Sequence, residues 1–324
     1  MRRRSRLFRR MYRRLILSAL LLTVAGLALG VWGPTPAVDG HIFDQHRNSI
    51  WLGHRWFDGR ARPSDVAMLL PRLQQGGIED LYVHVGPLDA RGHIPEWSPT
   101  TWRPILEALH PRHVYAWLGG VTTDVFGIAP DTVALDSPTV RQAIVETAKD
   151  LVVRGGFDGI HYDLELIPNR QPGFLTLLDS TRAALPNTLL SVATPILHPP
   201  WTPLLHAWSS DYLGEVGARC DQVAVMTYDT SMQTATLYKR LLAWEVPALC
   251  EAVRGRGCHL ILGVPSYRDH TVIHNPKAET LPAALDGIAW GLSLTPDRSA
   301  FQGIGLYAEW TTRPEDWTAL EMRW

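Results

Sequence analysis

Cysteine is scarce in this chain: three among 324 residues, Cys220, Cys250 and Cys258. Three thiols make no disulfide framework; a single Cys250 to Cys258 bridge suits an oxidising compartment, and the odd count equally suits free, buried thiols. Low-complexity segments and repeats of about 20 to 50 residues are absent, which excludes solenoids and arrays. A basic surplus is also lacking once the N-terminus is set aside. The first fourteen residues hold eight arginines and no acid; without them 23 basic residues face 32 acidic ones, leaving nine negative charges. Such a balance argues against nucleic acid as a partner.

One long apolar run is present, from Leu15 to Trp32, directly after the arginines. Its eighteen residues just span a bilayer core of roughly 30 Å at about 1.5 Å per residue. The arginine end is expected to stay in the cytoplasm, so everything after residue 32 is expected outside it, in the periplasm or the extracellular space. The length argues for an uncleaved membrane anchor; the small residues Ala28 and Gly30 leave a cleaved signal, and hence a secreted protein, open. The expected organisation is a basic segment (1–14), a transmembrane anchor or signal (15–32), a linker (33–46) and one large domain (47–324).

Within that domain short apolar runs alternate with helical patterns. The strand expectations are Ser49–Phe57, Asp80–Val85, His113–Leu118, Phe157–Leu166, Leu189–Thr194, Gln222–Tyr228, His259–Pro265 and Gly303–Trp310. Between them lie helical periodicities such as 64–75, 139–153 and 235–253. Eight strand and helix pairs predict an α/β fold, a (β/α)8 barrel, with its chemistry at the C-terminal strand ends.

The chain is organised around Phe157-Asp158-Gly159-Ile160-His161-Tyr162-Asp163-Leu164-Glu165-Leu166. Alternation puts His161, Asp163 and Glu165 on one strand face and Ile160, Tyr162 and Leu164 on the other. Titratable groups in a row cost several kcal/mol to bury unless paired, so stability alone does not explain them. A His161/Asp163/Glu165 metal set has suitable atoms, but alternate positions on one strand seldom close a ligand shell, and no metal or other cofactor is expected.

This stretch resembles the signature strand of glycoside hydrolase family 18, the chitinase-like enzymes, whose pattern is Asp-Gly-x-Asp-x-Asp-x-Glu on barrel strand four. Asp158, Gly159, Asp163 and Glu165 match; His161 stands where the family has an acid. Met226-Thr227-Tyr228-Asp229 is similar to the family's strand-six motif, and Trp310 to its strand-eight tryptophan. The resemblance implies a substrate-assisted, retaining glycosidase acting on N-acetylglucosamine-containing glycans, such as chitin or the peptidoglycan glycan. Glu165 would be the general acid/base, Asp163 would orient the 2-acetamido group, and Tyr228 would bond its oxygen. His161, Met226, Asp229, Tyr267, Trp310 and Trp56 would bind the sugar, with Trp117, His84 and Asp124 near the mouth.

The chemistry of those residues is consistent with this. A glycosidic bond needs a proton for its leaving oxygen and stabilisation of an oxocarbenium-like charge. Glu165 beside Asp163 would keep its proton to higher pH. Two carboxylates one residue apart on a strand cannot flank a sugar, which favours the acetamido oxygen as nucleophile. His161 is expected to donate a hydrogen bond to Asp163 or to pair with it as a cation. Two alternatives stand: a glycan-binding barrel whose activity was lost with His161, or a hydrolase using a Glu165/Glu309 carboxylate pair about 5 to 9.5 Å apart.

Overall fold

Parallel neighbours in a sheet need a crossover after each strand, and the alternation in the sequence supplies one every time. The structure is a computed structural model that describes residues 33–123, 131–197 and 207–324. Eight parallel strands close into a barrel in chain order: β1 (Asn48–Leu52), β2 (Ile78–Pro87), β3 (His113–Val121), β4 (Gly159–Glu165), β5 (Leu189–Thr194), β6 (Gln222–Met226), β7 (His259–Pro265) and β8 (Phe301–Tyr307). Around them lie α1 (Pro63–Gln75), α2 (Pro99–Leu109), α3 (Pro138–Val153), α4 (Pro172–Ala184), α5 (Ser210–Gly217), α6 (Ala235–Val253), α7 (Leu281–Leu294) and α8 (Pro314–Arg323). All eight expected strands are found. The first ends five residues early, because the chain turns at Gly53 into a 3-10 turn over His54–Trp56.

The basic segment 1–14, the apolar segment 15–32 and Asp124 lie outside the described residues. Among the described residues, no helix is long and apolar enough to cross a membrane. Residues near the start of the domain are packed: Phe43 is buried, and His41 bonds Asp39 and the Glu321 carbonyl of α8.

Helix starts are written locally. Proline occupies the first turn of α1, α2, α3, α4, α7 and α8, where its missing N–H costs nothing. Ser137, Thr234 and Thr280 cap α3, α6 and α7 by accepting from Val140, Leu237 and Ala283. The outward face of each strand is aliphatic and buried against these helices, Ile50, Leu81, Val114, Ile160 and Val192 among them.

The barrel interior is different in kind. Trp51, Tyr82, Tyr115, Trp117 and Ile261 form a second cluster inside it. Gly305 on β8 makes room for the Trp51 ring, since a Cβ there would stand 2.7 Å from it. Below these rings lies a polar layer. Asp80 Oδ2 accepts from Gln222 (2.7 Å) and Gln302 (2.8 Å), while its Oδ1 pairs with His113 at 3.0 Å. Gln222 Oε1 accepts from Tyr82 and from Ser191. A network this well partnered carries buried polar groups at little net cost.

The three cysteines are free and buried, so the possible Cys250–Cys258 bridge is not formed. Cys220 instead donates to the Val216 carbonyl at 3.3 Å and Cys258 to the His259 carbonyl at 3.6 Å.

Candidate active site

The site is set by the register of β3 against β4, which pairs Trp117 with His161, Gly119 with Asp163 and Val121 with Glu165. Gly119 brings no side chain to the position beside Asp163, and a cleft of about 660 Å³ opens there. His84, Leu88, Trp117, Asp131, Asp163 and Glu165 line it. The alternation expected for β4 holds: His161 and Asp163 point into the barrel, and Tyr162 points out to bond Thr181 of α4.

Asp163 is buried at the cleft floor. Its Oδ2 accepts the Trp117 indole N–H at 2.9 Å, and among the described residues its Oδ1 has no partner. Burial, reinforced by the Glu165 charge, pushes its carboxyl well above the ordinary carboxylate range, with the indole N–H pulling the other way. Glu165, at the strand end, reaches solvent in the cleft yet is crowded by surrounding protein, and this crowding together with the Asp229 charge raises its carboxyl. Both carboxyls therefore keep a proton to higher pH than a free carboxyl does, as a pair rather than singly.

His161 does not do what its position suggested. The Trp51 indole donates to its Nε2 at 3.2 Å, which leaves the proton on Nδ1 to be donated to Ser191 Oγ at 2.8 Å. The ring stacks on Tyr82 with centroids 3.9 Å apart and is fully buried. Burial lowers it to about 3, so it is neutral. Both ring nitrogens are committed, so it is neither a cationic partner of Asp163 nor a sugar contact, and it offers nothing to a metal.

Trp56 is a second correction. Its ring is buried in the core, and its N–H is donated to Glu309 Oε2 at 3.0 Å. It presents no face to a sugar, and Glu309 is engaged in holding it. Trp310 is 49% exposed and lies nearly parallel to Trp117.

Tyr228, just past β6, is buried and stacks on Tyr307, with Tyr267 edge-on to both. Burial raises the Tyr228 phenol well above its ordinary value. Met226 is half-buried at the end of β6. Asp229 follows in a left-handed conformation (φ 57°) and accepts a hydrogen bond from the Tyr267 hydroxyl. His84 stays neutral at the cleft wall, lowered to about 4 by burial and by His54. The structure thus brings together Asp163, Glu165, Tyr228, Asp229, Tyr267 and Trp310 around one barrel mouth, and takes His161 and Trp56 out of it.

Residues missed by sequence reasoning are Tyr307, His274 and Glu279. Tyr307 ends β8 and had a signal, its strand-end position. His274 and Glu279 sit in the loop after β7 and pack on Asp229, with His274 Nδ1 3.2 Å from Asp229 Oδ1 and 3.7 Å from Glu279 Oε2. Side-chain atoms of these three residues lie within 4.8 Å of one another, which makes them a group able to hold a metal ion.

No family model matches the sequence, and neither does any curated protein. Solved structures do match. A class V chitinase from Pseudomonas fluorescens Pf-5 superposes with a TM-score of 0.58 at 15% identity, over 85% of this chain and 98% of that one. The barrel has the chitinase fold. A class V chitinase mutant from Cycas revoluta, solved with (GlcNAc)3, matches at 0.56 and 15% identity over 85% and 98% of the two chains. The Bacillus cereus spore cortex-lytic enzyme SleL matches at 0.56 and 11% identity, over 86% of this chain and 74% of its own. The likeness to the family 18 chitinases spans most of the chain, and at these identities it is a likeness of fold.

Proposed function

We propose that this chitinase-like barrel is a glycoside hydrolase acting on N-acetylated amino-sugar glycans by substrate assistance. One observation supports the reading: Asp163 sits at the cleft floor with Oδ1 unpartnered among the described residues, beside Glu165, whose carboxyl is raised above its ordinary value by burial and the Asp229 charge. In the first step the acetamido oxygen bonds to the anomeric carbon as the glycosidic C–O bond breaks, and the Glu165 proton passes to the leaving oxygen. Asp163 Oδ1 receives the acetamido N–H and offsets the charge that grows on it. Water then attacks the same carbon, giving its proton back to Glu165 and releasing the sugar with retained configuration. Tyr228 steadies the acetamido oxygen, and Trp310 supports the apolar sugar face.

A second reading has its own observation. His161 is neutral, and both of its nitrogens are committed to Trp51 and Ser191, so Asp163 lacks the acidic neighbour present in the family pattern. A barrel that binds glycans without turning them over is consistent with that. The Glu165/Glu309 carboxylate pair is less well supported, because Glu309 already accepts from Trp56.

The discriminating experiment incubates the purified protein with N-acetylglucosamine oligomers and with glucose oligomers of equal length. Release of sugar from the first alone supports substrate assistance. Equal cleavage of both sinks it, and binding without cleavage favours the second reading.

The arginine-rich start and the apolar run that follows support a barrel held outside the cytoplasm by a membrane anchor. Reporter fusions after residue 45 test this: a signal only from a reporter that works outside the cytoplasm is expected, and a signal only from a cytoplasmic one overturns it.

A further inference from the structure

The Asp229, His274 and Glu279 group is not explained by hydrolysis. His274 and Glu279 are each 1% exposed, and burying such groups without partners costs several kcal/mol. Yet among the described residues neither ring nitrogen of His274 makes a hydrogen bond, and Glu279 Oε1 has none either. The other Glu279 oxygen is anchored by the Thr230 backbone N–H at 3.0 Å. The Tyr267 ring covers the imidazole, with centroids 4.2 Å apart.

The geometry distinguishes two explanations. A protonated His274 could form ion pairs with the two carboxylates, and their charges, opposing the effect of burial, would raise it to about 9. Such an imidazolium would aim an N–H at one of the oxygens. Here Asp229 Oδ1 lies within reach of Nδ1 at 3.2 Å but off the line on which an N–H would bond it, and Glu279 Oε2 stands 3.7 Å away. Ligands about 2.0 to 2.2 Å from a tetrahedral Zn²⁺ stand about 3.3 to 3.6 Å from one another. These two separations are close to the edges of such a shell. An imidazole with two carboxylates suits a borderline ion such as Zn²⁺ better than Mg²⁺ or Ca²⁺, which prefer all-oxygen shells.

We propose that Asp229, His274 and Glu279 form a divalent-metal site selective for Zn²⁺, with water completing the shell, that clips the end of β6 to the loop after β7. Asp229 is the exposed ligand, so the ion would fix the left-handed turn that carries it. The proposal stands on this cluster alone and holds whether or not the barrel cleaves glycans.

The test uses the full-length chain, free of any histidine tag, stripped with chelator and dialysed. Calorimetric titration with ZnCl2 is expected to show one saturable site per chain, with MgCl2 and CaCl2 giving none, and zinc is expected to raise the melting temperature. Asp229→Asn is expected to weaken zinc binding at least about tenfold, and His274→Gln to abolish it. If His274→Gln does not fold, Asp229→Asn, at the exposed side of the cluster, carries the test by itself. Stripped protein with a native near-ultraviolet circular dichroism spectrum that takes up no zinc overturns the proposal and leaves the imidazolium ion pair. Zinc binding unchanged by Asp229→Asn overturns it as well, because the ion then sits elsewhere.

Discussion

Trp117 donates its indole N–H to Asp163 Oδ2 at 2.9 Å, and among the described residues Asp163 Oδ1 has no partner. One oxygen is thereby anchored while the other is free for a ligand. The bond also favours the ionised acid against burial and the Glu165 charge, both of which favour the neutral one.

Trp117→Phe removes that donor while keeping an aromatic ring. The Asp163 carboxyl should rise further, so the acid limb of the pH–rate profile should move to higher pH. Because a raised acid contributes stability that is present at low pH and lost as pH rises through its folded value, the alkaline loss of stability should move upward too. A pH–rate profile and a pH series of melting temperatures check both; a profile that does not move would show that the bond does not tune Asp163.

Glu165→Gln should lower turnover of N-acetylglucosamine oligomers by about 10²- to 10⁴-fold, the usual loss for a missing general acid. Asp163→Asn should be similarly severe with those substrates. Either change removes a carboxyl held above its ordinary value, so the melting temperature at pH 8 should rise. Calorimetry beside a sugar-release assay separates the two effects; a variant both inactive and less stable would argue for a structural role.

His161 should make the protein sensitive to acid. Its folded value is lowered from 6.5 to about 3, so the stability tied to its neutral form is complete above about 6.5 and lost as pH falls toward 3. A shift of that size corresponds to roughly 5 kcal/mol. His161→Asn keeps an acceptor for Trp51 and a donor for Ser191 but cannot titrate, so it should flatten the loss measured by urea unfolding between pH 7 and pH 4. An equally steep loss in the variant would assign the effect to other groups.

His161→Asp places an acid where the family pattern has one, facing the Trp51 indole donor and the Ser191 hydroxyl, which donates to Gln222. The lost stacking on Tyr82 should cost about 1 to 3 kcal/mol. Activity should persist or rise, since adjacent carboxyls resist ionising together and can share a proton. Activity that disappears while oligomer binding and the fold survive would count against the shared-proton role.

Trp310→Ala should leave stability within about 0.5 kcal/mol, as expected for an exposed side chain away from the core. KM for long oligomers should rise about tenfold or more, with kcat less affected, if the ring supports a bound sugar. Trp56→Ala should do the reverse, destabilising by about 3 to 5 kcal/mol because its ring fills the core. Steady-state kinetics and denaturant melts on the two variants test this contrast.

Local order determined a good deal. Period-two alternation in β4 sorted Asp163 and Glu165 from Ile160, Tyr162 and Leu164, because a strand turns each successive side chain to the opposite face. Proline at helix starts and apolar runs at regular intervals specified eight strand and helix units, and the strand ends named where the cleft would be. What only the tertiary structure decided is which partners those side chains meet. The Trp51 indole that claims His161 comes from 110 residues away, and the Ser191 hydroxyl from 30. Once both claim it, desolvation makes the ring neutral and removes it from Asp163. Trp56 looked like a mouth residue by position, but the turn after Gly53 directs its ring into the core and its N–H to Glu309. The Asp229, His274 and Glu279 cluster joins positions some 45 to 50 residues apart, and no spacing rule marks it because barrel closure, not local periodicity, brings the ends of β6 and β7 side by side.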